Sequence, residues 1–213
     1  MDKEITLYTN PWSRGAIAHW MLEEVGVPYR IEVLDYKGQM KTPQYLAINP
    51  MGKVPAIVHG NRVVTETAAI CAYLADAFPE AGLAPPPAER AAYYRWLFFG
   101  AGPMETALSL SACDFEPTPE QQMQMGFGTK ARVLDTLADA LRDRRHIAGD
   151  RFSAADVYVG SFVGWSMQFG TIDKRPEFVA YWDGLKDRPA HRRVEEQTER
   201  MAPPPVAQET SQG

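Results

Sequence analysis

The sequence predicts a chain in two parts: a small mixed α/β domain over residues 1–79 and an all-α helical domain over residues 89–203. Three observations carry this. Before residue 79, short apolar runs of period two interleave with segments of helical period. Residues 79–89, PEAGLAPPPAE, are rich in proline and small side chains and read as a short semi-rigid linker. Beyond the linker no stretch carries a strand signal.

The elements follow in order. ITLYT reads as the first strand. In SRGAIAHWMLEEVG, Ile17, Trp20, Met21 and Val25 fall close to helical spacing, and Gly26 is a stop signal. YRIEVLD alternates again. VPAIVHGNRVVT reads as a hairpin with Gly60 and Asn61 in the turn. TETAAICAYLADAF then opens a helix. The order is β-α-β, a loop region with a short helix, β-β, α, which implies parallel and antiparallel pairs in one sheet covered by helices. In the second half ERAAYYRWLFFGAGPMETALSLSA, PEQQMQMGFGTKARVLDTLADALRDRR, SAADVYVGSFVGWSMQFG and RPEFVAYWDGLKDRP each read as a helix. Gly102-Pro103 is expected to kink or break the first of these. Ser153 with Asp156 three residues later reads as a capping box, with Phe152 placed to staple on Val157. The tail APPPVAQETSQG is poor in apolar residues and is expected to be mobile.

Bulk properties exclude several classes. A chain of 213 residues can bury a sizeable core. A net charge of -5 argues against a dedicated nucleic-acid binder, and the basic run RDRRHIAGDR reads as a solvated helix end. Cys71 and Cys113 are too few for a disulfide framework and form no CxxC motif, which fits a reduced, cytoplasmic setting. MDKEITLYTN starts with charges and continues as a strand, unlike a signal peptide. No apolar run is long enough to cross a membrane. His19, His59, His146 and His191 are scattered without metal-ligand spacing, so no metal is expected.

Chemistry concentrates in INPMGKVPAIVHGNRVVTETAAI, residues 48–70. The Val54-Pro55 bond is open to either isomer. A cis bond would turn the backbone and leave the N–H and C=O of Val54 facing outward, able to pair with a bound peptide as with another strand. A trans bond would make Pro55 the start of an edge strand. Lys53 is placed to meet a carboxylate. Further on, Thr65 or Glu66 begins a helix and Thr67 falls in its first turn. Free N–H groups there attract a carboxylate, and Glu66 suits an ammonium. Together they have the parts to grip a zwitterionic γ-glutamyl group, although Thr and Glu are also ordinary helix-start residues.

LYTNPWSRGAIAHWMLEEVGVPY adds Ser13 between the first strand and the first helix, where a thiolate would be stabilised. At this point the chain resembles the cytosolic glutathione transferases, of the bacterial kind related to the theta, zeta and beta classes. The resemblance spans nearly the whole chain. It rests on NPWSRG with WMLEEVGVPY, on LAINPMGKVPAIVHG, on VTETAAICAYLADAFP and on GDRFSAADVYVG. It implies a thioredoxin-like first domain and a cis Pro55. It further implies that Val54 pairs with the cysteinyl part of glutathione, that Glu66 and Thr67 hold its γ-glutamyl end, and that Lys53 approaches its glycyl carboxylate. Ser13 matches the hydroxyl that donates to the sulfur, with Tyr8, Asn10, Trp12 and Arg14 as further neighbours.

Two departures stand out. Many relatives have Glu-Ser where this chain has Glu66-Thr67, and threonine adds a methyl that restricts its rotamers. Beta-type relatives carry a cysteine that aligns with Arg14, so mixed-disulfide chemistry is not expected here. The resemblance also implies an apolar electrophile pocket, for which Trp12, Trp96, Phe99, Pro103, Met104, Trp165 and Phe169 are candidates. It assigns the SAADVYVG segment to folding architecture. The implied activity is conjugation of glutathione, as co-substrate, to a small apolar electrophile, by a cytoplasmic homodimer working in detoxification without a metal. Isomerisation, dehalogenation, reduction and a non-catalytic binding role are the alternatives on the same fold.

Overall fold

The computed structural model describes residues 4–201. The tail APPPVAQETSQG, expected to be mobile, lies outside the described residues, as does the charged start MDK.

The first half runs β1 (Ile5–Thr9), α1 (Gly15–Val25), β2 (Tyr29–Val33), α2 (Pro43–Leu46), β3 (Ala56–His59), β4 (Arg62–Thr65) and α3 (Thr67–Ala77). The strands form one sheet in the order β2-β1-β3-β4. β1 pairs parallel with β2 and antiparallel with β3, with Leu7 opposite Ile31 and Ile57. β3 and β4 form the expected hairpin. Alternation places Ile5 and Leu7 on one face of β1, both wholly buried. That face is closed by the apolar sides of α1 (Ile17, Ala18, Trp20, Met21, Leu22) and α3 (Ile70, Leu74). α1 stops at Gly26, whose left-handed φ of 74° lets its N–H return to the Leu22 carbonyl at 3.0 Å.

The second half is helical throughout its described residues: α4 (Ala91–Phe99), α5 (Glu105–Ala112), α6 (Pro119–Gln124), α7 (Lys130–Leu141), α8 (Ala154–Gln168), α9 (Pro176–Asp183) and α10 (Pro189–Met201). α8 is buried on nearly every side and packs against α1, α3, α4 and α9. Its start is fixed by Asp156, itself fully buried. One carboxylate oxygen accepts the Ser153 N–H at 2.9 Å and the Ser153 hydroxyl at 3.2 Å. The other accepts the Ile147 N–H at 2.8 Å and the Tyr181 hydroxyl at 2.9 Å. Burial pushes this carboxyl up while the donors pull against it. The SAADVYVG segment is therefore an anchor joining α8, α9 and the loop before them. Phe152 packs on Trp20 and beneath the Arg188 guanidinium.

The structure corrects two expectations and adds a helix. Gly102-Pro103 does not break the helix. Gly100–Met104 forms a π-helical turn, and the Glu105 N–H reaches back five residues to the Gly100 carbonyl. The wider turn absorbs the donor that Pro103 lacks, so α4 runs on into α5. The stretch read as one helix from Pro119 onward is two. Met125 is extended, Gly128 has φ 68°, and Thr129 opens α7 afresh by accepting the Arg132 N–H. α10 is a helix that hydrophobic periodicity did not reveal. It buries little beyond Ala190 and Val194 and is held to α1 by polar contacts. The proline-rich linker is tied down as well: Leu83 is buried, and its carbonyl accepts the Ala154 N–H at 2.8 Å.

Candidate active site

The segment before β3 is held from below. The Val54-Pro55 bond is cis, as the resemblance implied. The Lys53 carbonyl accepts two hydrogen bonds, from the Tyr45 hydroxyl at 2.5 Å and from Asn49 Nδ2 at 2.8 Å. Burial pushes the Tyr45 hydroxyl up to about 12, so it remains a donor at neutral pH. Lys41 Nζ donates to the Gly52 carbonyl at 2.9 Å. Val54 comes next, half-buried at the end of this brace. Among the described residues its N–H and C=O have no hydrogen-bond partner. Backbone groups left unpaired at a strand end can pair with an extended ligand as with another strand.

The start of α3 adds two unused side chains. Glu66 has φ 65° and ψ 117°, a region that costs a side-chain-bearing residue energy and is held by its surroundings. Its carboxylate is exposed and has no ion-pair or hydrogen-bond partner among the described residues. Thr67 is 7% exposed, and its hydroxyl likewise makes no internal hydrogen bond. The first-turn N–H groups beside them have no helical acceptor. The arrangement offers an acceptor for an ammonium and donors for a carboxylate within one helical turn.

The start of α1 is tighter. Gly15 is required: a Cβ there would lie 1.9 Å from Thr9 Oγ1 and 2.9 Å from Ser13 Oγ. The Ser13 hydroxyl donates to the Asn10 carbonyl at 2.7 Å and accepts the Gly15 N–H at 2.9 Å. A hydroxyl has one proton, so Ser13 braces the loop here and must rotate off Asn10 before it can donate to a sulfur. Asn10 is itself occupied, donating to the Leu34 carbonyl and accepting the Trp12 N–H. The Trp12 side chain is 70% exposed. Tyr8 sits against the Tyr45 ring, 5.7 Å between centres. Arg14 leaves the loop in the other direction. Its Nη2 lies 2.9 Å from Glu105 Oε1, and its guanidinium 5.7 Å from the Phe162 ring centre. The Tyr158 hydroxyl donates to the second Glu105 oxygen at 3.1 Å. This cluster ties the start of α1 to α5 and α8.

The apolar candidates separate by burial. Trp96 is 4% exposed and Met104 1%, so both belong to the packed interior and not to the wall of an open cleft. Phe99 rests edge-on against Trp96 and is half-buried. Trp165 is half-buried and Phe169 largely exposed. Tyr158, Phe162, Trp165 and Phe169 recur at helical spacing and share one face of α8, which begins beside Arg14 and ends in solvent. Sequence reasoning missed Tyr45, Asn49, Glu105, Tyr158 and Phe162. Tyr45 and Asn49 carried a signal, one helical turn apart just ahead of the Val-Pro pair. Glu105 and Phe162 meet Arg14 only through the fold.

A four-stranded mixed sheet with an unpaired backbone edge at a cis-proline, joined to a helical half across α1, is the thioredoxin-like arrangement of glutathione transferases. Residues 11–77 match the family described as "Glutathione S-transferase, N-terminal domain", and residues 93–189 match "Glutathione S-transferase, C-terminal domain". The chain is 32% identical over 171 residues to glutathione S-transferase GST-4.5 of Xanthomonas campestris, covering 77% of this chain and 83% of that protein. It is 29% identical over 209 residues to glutathione S-transferase A of Pleuronectes platessa, covering 89% and 90%. Among solved structures it superposes on a glutathione transferase from Methylococcus capsulatus with a TM-score of 0.76 and 32% identity, covering 92% of this chain and 98% of that one. A sphingomonad glutathione S-transferase complexed with glutathione gives 0.74 and 28%, covering 91% and 98%. The chain belongs to the glutathione S-transferase family.

Proposed function

We propose that the chain binds glutathione and transfers its thiolate to a small electrophile, as a cytoplasmic homodimer in detoxification. Residues 1–79 hold glutathione and residues 89–203 supply the electrophile side. The observation that carries this reading is the unpaired N–H and C=O of Val54, beside an unpartnered Glu66 carboxylate and Thr67 hydroxyl. Val54 pairs with the cysteinyl backbone, Glu66 takes the α-ammonium, Thr67 with the α3 N–H groups takes the α-carboxylate, and Lys53 meets the glycyl carboxylate. Pro55 shapes the segment. Trp12, Phe99 and Trp165 border the electrophile.

Ser13 acts on the sulfur. A free thiol titrates near 8.5, so only a few per cent is thiolate at pH 7. Lowering this by ~2 units takes ~2.7 kcal/mol. A hydrogen bond to a charged acceptor contributes about 1.5–3 kcal/mol, the helix terminus adds ~0.3–1, and leaving Asn10 costs about 1. The sum, about 0.8–3 kcal/mol, reaches the full shift at its upper end. Catalysis follows from thiolate supply and proximity to the electrophile. Calorimetry with glutathione, followed by a thiol-conjugation assay, tests the reading. Binding with turnover supports it, and absence of binding removes it.

A further inference from the structure

The basic run RDRRHIAGDR, residues 142–151, has no part in the transferase site. Its first residues form one wall of a cleft of about 560 Å³ against α9. The buried Leu141 lines it, as do Pro176, Ala180 and Gly184, spaced four apart along α9 and its end. Arg144, Arg145 and His146 form the polar rim. A volume of this size with apolar walls and a few polar groups suits a small molecule. The loop is held at several points. Ile147 is wholly buried, and Asp156 accepts its N–H. The Arg144 N–H returns to the Leu141 carbonyl at 3.1 Å. His146 Nδ1 lies 3.2 Å from the Asp150 carbonyl, which only accepts, so that nitrogen carries a proton. Asp143, at a left-handed φ of 59°, turns the chain out of α7.

Charges near the cleft are paired unevenly. Arg142 takes Asp139 at 2.7 Å and stands 3.9 Å from Glu177. Arg175 takes Asp135, Lys186 takes Asp183 and Arg192 takes Asp187. Arg144 and Arg145 take no carboxylate among the described residues, although Asp143 and Asp150 belong to the same loop. The N–H groups of Arg145 and His146, consecutive in the chain, also have no acceptor among the described residues. Two free guanidiniums beside two consecutive free N–H groups make a set of donors without an acceptor. We propose that this cleft is a second binding site, separate from that for glutathione, for a small phosphate monoester whose apolar body lies along α9. The phosphate accepts from Arg144 and Arg145, whose planar forks match pairs of its oxygens, and from the two N–H groups. The body covers Pro176 and Ala180. Asp143 and Asp150 act against the anion, which keeps affinity modest and makes them diagnostic.

Calorimetry on the full chain with phenyl phosphate tests this, with inorganic phosphate and phenol as the two halves of the probe. Phenyl phosphate should bind saturably with a Kd on the order of 1 mM or lower. Inorganic phosphate should bind more weakly, and phenol should not saturate. The double substitution Arg144→Gln with Arg145→Gln should raise the Kd for phenyl phosphate by about tenfold or more. Asp150→Asn removes an opposing charge and should lower it by about two- to fivefold. All three side chains are exposed, and equal melting temperatures without probe check that the fold is intact. No saturable binding of phenyl phosphate, an unchanged Kd in the double variant, or weaker binding in Asp150→Asn would overturn the proposal. The last result would mark the cleft as a site for a cation or a zwitterion. Vesicles of phosphatidylcholine with phosphatidic acid separate a free ligand from a lipid headgroup. The wild type should not sediment with them. Sedimentation that the double variant loses, without binding of phenyl phosphate, would overturn the small-molecule assignment. None of these outcomes bears on conjugation, so the transferase reading is tested separately.

Discussion

The Ser13 proton lies on the Asn10 carbonyl in this structure, and thiol activation requires that it move. Ser13→Ala should therefore leave glutathione affinity nearly unchanged, since most contacts run along Val54, Glu66 and Thr67. Conjugation at neutral pH should fall by roughly ten- to a thousandfold, or ~1.4–4 kcal/mol of transition-state stabilisation. Part of that loss should return as pH rises and solvent ionises the thiol. Lower stability alone is no test, because the Gly15 N–H also loses its acceptor, at a cost of ~0.5–2 kcal/mol. Glu66 makes an independent claim. Glu66→Gln removes the ammonium partner and should weaken glutathione binding by about ten- to a hundredfold, the equivalent of ~1.5–3 kcal/mol. Unchanged affinity by calorimetry would remove Glu66 from the γ-glutamyl site. Glu66 and Thr67 were legible in the sequence because their setting is local: a helix start after a hairpin. The commitment of the Ser13 proton was not, because it depends on where the Asn10 carbonyl points.

At the scale of elements, local signals gave the hairpin, α1 and its glycine stop. The π turn after α4 was beyond them, because Pro103 alone does not say whether a helix ends or widens. α10 was missed for a different reason: charged residues dominate it, and what fixes it is a polar network. His19 is 1% exposed, with Nε2 2.8 Å from the Tyr29 hydroxyl and 2.9 Å from Gln197 Oε1. Tyr29 donates its own hydrogen bond to Glu23, and Arg193 pairs with Glu23 from α10. Burial lowers the His19 pKa below 6.5, with Gln197 and Glu23 opposing. The sign follows: below about pH 6.5 the unfolded chain binds a proton that folded His19 refuses, so stability falls with pH until the folded group also titrates. The slope from this one group is at most ~1.4 kcal/mol per pH unit. Urea midpoints at pH 7.5 and 5.5 should differ less in His19→Asn than in wild type. Equal differences would show that His19 does not contribute.

For the whole molecule, composition and alternation sufficed to divide the chain into a sheet-bearing half and a helical half. They could not bring Arg14 to Glu105, whose meeting needs both halves folded together. The surface carries large exposed apolar side chains on both halves, including Met51 at 70% and Phe98 at 71%. Exposed apolar groups of this size on both halves are what a pairing of the first half of one subunit with the second half of another would cover. The expected outcome in solution at micromolar concentration is a mass twice that of the 23.8 kDa chain. A monomeric mass by light scattering would count against the homodimer.

The central claim is that this chain holds glutathione so that its thiol ionises near neutral pH. Titrating the thiolate absorbance of bound glutathione against pH tests it most directly. The account expects a midpoint ~2 units below the free-thiol value of about 8.5. A midpoint at the free-thiol value, with glutathione shown to be bound, would contradict it.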